Sequence, residues 1–551
     1  MKVHAIQSNT VESQGNAPQF KGVFDQSFRF LATNQAIGAN GVDLAFMVTP
    51  RTASDWYKRG PAAGAETLRR ESMGTINDTF LALYGIGAGS LLAIALNKKY
   101  GFSANSIFAA PETTNILAEN KANQLKGNKS QYEYLKDTLS RVKAYNPQAK
   151  GADKDGYIRL SEKTVDEVAK LMDESLNNKI EFKDWKKKSA ANSRQVVINK
   201  IIESTGAEAK YILESADGKI KSETNLQTLL NDTYAISSAF NKDKIKKAFD
   251  EQLKAGKPIK DNAFIKGLSK FMKTRSMIGF AVASLVGLSV QPINMYLTKK
   301  KTGTDGFVGV EGRQKDNSAG FKGIKALSGA AFFGMVLATM KSTLGQFLGK
   351  MDIKGIMPTV NQLKGVYGIT IISRIASARD KDELREVLTK DTLGYLSWLV
   401  LGDIVNRMVA YGLNKDKSVL NMDEKVKNKG NWLTKSFHAS LKTRDEVLIE
   451  TLAKNGIETT KKDGNKLVAK KFSEMVKDLN KLSPEAKKAA KGKLRVLNIA
   501  QTAGYAFSGL VLGLGIPNLN IYITNTLDKK RKAQKAAEQA KTVQEQHNAV
   551  A

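Results

Sequence analysis

The sequence predicts a mainly α-helical, multi-helix membrane protein with about four to six hydrophobic segments and two polar helical inserts. Three observations carry that expectation. Ser276 to Thr298 is an uncharged run of 23 residues, and as a helix rising about 1.5 Å per residue it spans a hydrocarbon core of roughly 30 Å. Lys270, Lys273 and Arg275 fence it on one side and Lys299, Lys300 and Lys301 on the other, as suits phosphate headgroups. Finally, the 551 residues carry a net charge of +32 and a negative mean hydropathy, so most of the chain lies outside any bilayer.

A basic balance of this size fits nucleic acid or an anionic membrane surface. Lysine is spread along the whole chain, without interleaved aromatic residues or a Cys/His finger. That argues against nucleic acid and leaves anionic membrane lipids as the expected partner. Cysteine is absent, which excludes disulfides, thiolate chemistry and Cys-ligated zinc. It favours a cytoplasm-like setting for the polar lobes.

Taken in order, residues 1–27 are polar, lack the apolar core of a signal peptide, and read as a disordered leader. Residues 28–110 form an N-terminal membrane-associated region. In it Phe28–Thr49 reads as a short amphipathic or surface helix, Arg51–Ser72 as a polar stretch, and residues 79–97 as the second strong hydrophobic helix, with Gly85 and Gly89 as a packing face. Gly85, Gly87 and Ser90 also form a partial Gly-x-Gly-x-x-Ser, but the acidic residue of a dinucleotide fingerprint is missing at the required distance.

Residues 111–270 read as a soluble helical lobe, a candidate surface for protein partners. Val165, Val168, Leu171, Met172 and Leu176 recur at helical spacing, and Asp217-Gly218 between apolar runs predicts a hairpin over Tyr211–Ile220. Gly151 to Glu162 resembles an EF-hand loop, with Asp153 and Asp155 at its third and fifth positions, Gly156 at the turn and Glu162 at the twelfth. Gly151 stands where the first ligand belongs, so a plain helix–turn–helix connection is the preferred reading and no metal is expected.

Residues 271–413 are read as membrane helices over 276–298, 326–349, a weak 355–373 and 393–413. Gly279, Ala283 and Gly287 make a small-residue face, and Gly345 and Gly349 a second one. Asp403 and Arg407 stand four apart in the favourable order for an ion pair, which inside a membrane marks a functional site. Residues 414–495 form a second, basic polar insert with a hairpin at Lys461–Gly464. Residues 496–527 form another hydrophobic helix, and 528–551 a basic tail.

The last hydrophobic helix echoes the first fenced run. Gly279-Phe280-Ala281 corresponds to Gly504-Tyr505-Ala506. Pro292 leads to Asn294-x-Tyr296-x-Thr298 as Pro517 leads to Asn520-x-Tyr522-x-Thr524, with one residue inserted between Pro517 and Asn520. Interrupted, repeated helices can line a binding site near the bilayer midplane. Basic residues follow both runs, so an even number of crossings should separate them, and this requires the weak 355–373 segment to cross or a strong one to turn back.

The histidines are His4, His438 and His547, and neither a nucleophile elbow, a zinc-protease motif nor a complete phosphate loop is present. The sequence therefore predicts a non-enzymatic protein with no cofactor and no catalytic residues. Its first expected role is a membrane scaffold or interaction protein contacting anionic lipid. The second is a transporter or channel built on the repeat, with Gly279, Gly287, Pro292, Asn294, Asp403, Arg407, Pro517 and Asn520 as packing or pathway positions. The third is a soluble or peripheral protein that buries its apolar helices.

Overall fold

The computed structural model describes residues 35–537 except 187–192, 209, 304–314, 356–357, 423–430, 465, 521, 525, 528, 531–532 and 535. The expected leader at 1–27 lies outside the described residues. What is described is mainly helical, with three small antiparallel sheets.

A helical bundle holds nine segments: α1 (Gln35–Asp43), α2 (Thr49–Arg59), α3 (Pro61–Tyr100), α4 (Ala263–Thr302), α5 (Ala319–Thr339), α6 (Val360–Ser377), α7 (Lys381–Leu396), α8 (Gly402–Leu413) and α9 (Pro484–Leu510). Their ends follow local chemistry. Pro61 opens α3 and Gly101, at φ 69°, closes it in the left-handed region. Asn262, Asp380 and Ser483 cap α4, α7 and α9 by accepting backbone N–H groups, and Thr359 with Gln362 forms a capping box on α6. Three π-helical turns interrupt the bundle, Leu44–Val48 between α1 and α2, Ser397–Leu401 between α7 and α8, and Val511–Gly515 after α9. They meet one another in the bundle core, where Met47, Trp398, Leu399 and Leu512 pack together.

Four helices, α3, α4, α5 and the run from Pro484 to Thr524, are long and apolar enough to cross a membrane. Their apolar windows are only 17–33% buried, so the outer faces, with Leu91, Met277, Leu285, Leu327 and Leu510 among them, stand exposed. A soluble core would have covered these side chains. The arrangement is compatible with a membrane location.

Direction alternates along the bundle. α3 runs toward the polar lobe, where Tyr100 meets Phe264 edge-on at 5.1 Å, and α4 runs back from there. α5 rises again and its carbonyl at Thr339 accepts from Lys364 near the start of α6 (3.0 Å). α6 returns, α7–α8 rise, and α9 descends. Four passes along the bundle thus separate Thr302 from Thr524. From Val360 the weak 355–373 segment is helical, as α6, which runs on to Ser377 and is placed at the centre between α1, α3, α4, α5 and α7. Neighbouring helices shield it, so it tolerates Gln362, Lys364 and Arg374 and loses the hydropathy signal of an outward-facing span.

Several other expectations are corrected. In its described part Phe28–Thr49 is amphipathic and not a surface helix, with Val42 and Met47 in the bundle core, Val48 buried, and Leu44 and Phe46 exposed. The polar stretch Arg51–Ser72 is helical, and its Arg51, Arg70 and Glu71 are buried. The expected 326–349 helix breaks at Met340–Thr343, with Lys341 at φ 49°. Gly345 and Gly349 pack on nothing within 4 Å, so they form no packing face.

The two polar inserts are one lobe. The first supplies a four-stranded sheet of order β2-β1-β3-β4, from β1 (Val142–Tyr145), β2 (Tyr157–Arg159), β3 (Tyr211–Glu214) and β4 (Lys221–Thr224). The second supplies an antiparallel pair, β5 (Leu420–Met422) with β6 (Ala439–Leu441), and a hairpin, β7 (Thr460–Asp463) with β8 (Lys466–Ala469). Leu448, Ile449, Leu452, Met475 and Leu479 of the second insert sit in the same apolar core as Trp185, Ile201 and Tyr234 of the first. Hairpins form around both Asp-Gly turns, at Asp463-Gly464 and at Asp217-Gly218, although the second strand of the latter is Lys221–Thr224, beyond the predicted Tyr211–Ile220.

Across the joint, Glu446 accepts from the Glu208 backbone N–H (2.6 Å), and Thr443 donates to the Glu208 carboxylate (3.3 Å). Burial, then the neighbouring Glu446 and Asp445 carboxylates, push Glu208 up to about 7. A carboxyl raised on folding stabilises the fold while protonated, so this contribution is present in acid and is lost as pH rises through about 7. The lobe should therefore melt lower at pH ~8.5 than at pH ~6. Glu208→Gln should raise the alkaline midpoint by a few degrees and leave the acidic one in place, as read by thermal unfolding. An unchanged pH profile in the variant would exclude Glu208 as the source.

Candidate functional site

At the end of the bundle away from the lobe, four charges from four segments meet in the interior. Arg51 lies in the first turn of α2, Arg374 in the last turn of α6, Glu71 on α3 and Asp391 on α7. Arg374 reaches Glu71 at 3.0 Å and Asp391 at 3.1 Å. Arg51 spans the same two carboxylates at 3.4 and 3.5 Å. All four side chains are buried. Arg70 adds a contact to Glu71 at 3.1 Å, and Arg51 also donates to the Lys390 carbonyl at 3.4 Å.

The geometry exposes a longer correspondence than the echo alone. Arg51 begins Arg-Thr-Ala-Ser and Arg374 begins Arg-Ile-Ala-Ser. Glu66-Thr-Leu-Arg-Arg70-Glu71-Ser-Met-Gly74 matches Glu386-Val-Leu-Thr-Lys390-Asp391-Thr-Leu-Gly394, with a basic residue before the acid and a glycine three after it. Each glycine lies beside the arginine of the other set, and Gly394 makes room for Arg51. A Cβ on Gly74 would lie 3.8 Å from Arg374, and one on Gly394 would lie 3.1 Å from Arg51. These sequence matches run in the same order along α1–α2, α3 and α4 as along α6, α7–α8 and α9, and in both runs the polar insert falls between the second and third helices. These signals were present in the sequence, but they are short and separated by loops of unequal length, and only the shared cluster marks them as equivalent.

The echo residues make comparable contacts. Gly279 of α4 crosses Gly85 of α3 so closely that a Cβ would lie 2.8 Å from the Gly85 Cα, and Gly504 of α9 crosses Gly402, where a Cβ would lie 2.7 Å from its carbonyl oxygen. Gly287 packs on Thr370, 2.8 Å from where a Cβ would stand. Thr298 accepts from Arg69 at 3.1 Å and Thr524 from Arg385 at 3.1 Å, while Asn294 accepts from the same Arg69 at 2.5 Å. The inserted residue is placed differently from expectation. The π turn at Val511–Gly515 takes it up ahead of Pro517, since such a turn holds one residue more than α-helix. Asn520 therefore matches Asn294, and Pro517 matches Gln291 rather than Pro292.

A cleft of about 70 Å³ opens beside the cluster, lined by Arg59, Gln291, Lys390, Asp391, Pro517 and Asn520 among others. This is room for a few waters or a small ion, and too little for an organic metabolite. The amide oxygens of Gln291 and Asn520 are buried there without hydrogen-bond partners.

Asp403 and Arg407 do form the predicted ion pair, at 2.8 Å. It stands away from the cluster, with the Asp403 side chain 68% exposed and Arg407 donating to the carbonyls of Phe437 and Ala439 in the second insert. Its work is to fasten α8 to the lobe. The calcium-loop segment is a strand–turn–strand instead of a helix–turn–helix. Asp153 spends one oxygen on the backbone N–H groups of Asp155 and Tyr157 (3.1 and 2.9 Å) and the other on Lys143 (3.4 Å), while Glu162 begins the next helix. Among the described residues no three of His, Cys, Asp and Glu gather as a metal site.

Comparison with protein-family models, with characterised proteins and with solved structures finds no match to this chain.

Proposed function

We propose that the protein is an integral membrane conduit or carrier for a small ion, built from two copies of a three-helix unit arranged in parallel. The observation that carries this reading is the buried Arg51–Glu71–Arg374–Asp391 cluster, shared between the two units and opening onto the polar cleft. Charges buried within a helical bundle cost several kcal/mol and tend to mark ion pathways in membrane proteins. Parallel repeats related by an axis along the membrane normal are a known transporter plan. The exposed Lys299, Lys300 and Lys301 at the cluster end of α4 suit anionic lipid headgroups.

The internal pairing of those four charges favours a second reading, a scaffold in which the cluster only locks the units together. Liposome flux separates the two. Purified protein should dissipate an imposed ion gradient, and Asn520→Leu, which removes the unpartnered amide from the cleft, should slow it by about tenfold or more, or roughly 1.4 kcal/mol of barrier. Flux absent from the wild type would leave the scaffold. Release of the protein into the supernatant on carbonate extraction would sink the integral reading altogether.

A further inference from the structure

We propose that Asp78, with Asp43 across from it, forms an oxygen-lined site for one exchangeable monovalent cation, a proton or an alkali ion. This rests on the conduit reading for its role in transport but not for its existence. α1 and α3 are laced by two rungs: Thr75 donates to Asp43, and Asn40 donates to Thr79 at 2.7 Å. Asp78 lies on the same face of α3, three residues from one rung and beside the other, and is fully buried. Both of its carboxylate oxygens, the second oxygen of Asp43 and the amide oxygen of Asn40 have no hydrogen-bond partner.

The neighbouring hydroxyl donors are already used. Thr75 serves Asp43, and Thr79 donates to the Thr75 carbonyl at 2.7 Å. The charged and titratable groups within electrostatic reach of Asp78 are Asp43, Arg374 and Tyr84. Asp43 in turn faces Glu71, Arg51 and Arg374. Arg374 is committed to Glu71 and Asp391.

A set of acceptors without a donor is costly in an apolar interior unless a positive charge enters it. A proton on Asp78 converts one acceptor into the missing donor, and an alkali ion would serve all of them at once. Two carboxylates and an amide are too few for calcium, which takes six to eight oxygens. Glu71, Thr75 and Asp78 follow one another on α3, so a polar line roughly 10 Å long joins the cluster to this site.

The test is infrared difference spectroscopy of the full chain in lipid nanodiscs, stepped from about pH 5 to about pH 9 in sodium-free buffer and then with sodium added. A carboxylic-acid C=O signal present at neutral pH and absent from Asp78→Asn is the expected result. Its disappearance on adding sodium identifies an alkali ion as a competing occupant, and its persistence identifies the proton alone. Should Asp78→Asn fail to fold, Asp78→Glu must shift the same band. An Asp78 that stays ionised throughout and ignores sodium overturns the site. A signal without liposome flux keeps the site and removes the conduit, whereas flux without the signal does the reverse.

Discussion

Arg374→Met is expected to destabilise the bundle by about 3–5 kcal/mol, because it strands buried carboxylates that two guanidiniums now share. With Arg374 gone, Glu71 and Asp391 keep Arg51 at 3.4 and 3.5 Å, longer contacts than the 3.0 and 3.1 Å that are lost. The charge-balanced double variant, Arg374→Met with Asp391→Asn, leaves Arg51 facing Glu71 and should recover at least half of the loss. Thermal unfolding in detergent and the monodispersity of the eluted protein measure both. A single variant as stable as the wild type would show that the four charges are not coupled. A double variant no better than the single would show that Arg374 acts through packing alone.

The second large effect concerns the glycine crossings. Gly279→Ala and Gly504→Ala should each cost about 1–3 kcal/mol by overpacking. At Gly279 the obstacle is the opposing Gly85 backbone, with its Cα at 2.8 Å from the added carbon, and at Gly504 it is the Asn406 amide together with the Gly402 carbonyl oxygen at 2.7 Å; backbone cannot swing aside as a flexible side chain does. Gly345→Ala supplies the control. That glycine is in a short helix with nothing within 4 Å, so added helix propensity makes the change neutral or stabilising. Equal effects at all three positions in a melting assay would refute close crossing as the reason for Gly279 and Gly504.

The two predictions show how unevenly the architecture was legible. Gly279 and Gly504 were visible as an echo because small residues at fixed offsets survive in any apolar helix. The cluster was not visible, because Arg51, Glu71, Arg374 and Asp391 sit in stretches that read as polar connections or as a weak segment. Hydropathy averages over a helix and assumes that its environment is lipid or water, and α6 meets neither. Asp403 and Arg407 misled in the opposite direction. Their spacing predicted the ion pair correctly, but spacing along one helix says nothing about which face of the bundle it occupies.

By itself the sequence determined the helical class, the strong hydrophobic helices, both Asp-Gly hairpins and the echo between α4 and α9. Each rests on local chemistry such as periodicity, turn propensity or a run of apolar residues. Only the tertiary structure decided that the two polar inserts close on one another as a single lobe, that α6 is the shielded centre of the bundle, and that two arginines more than 300 residues apart share two carboxylates. Those outcomes depend on which faces pack together, and a buried charge is stable only beside a partner that the chain brings from far away.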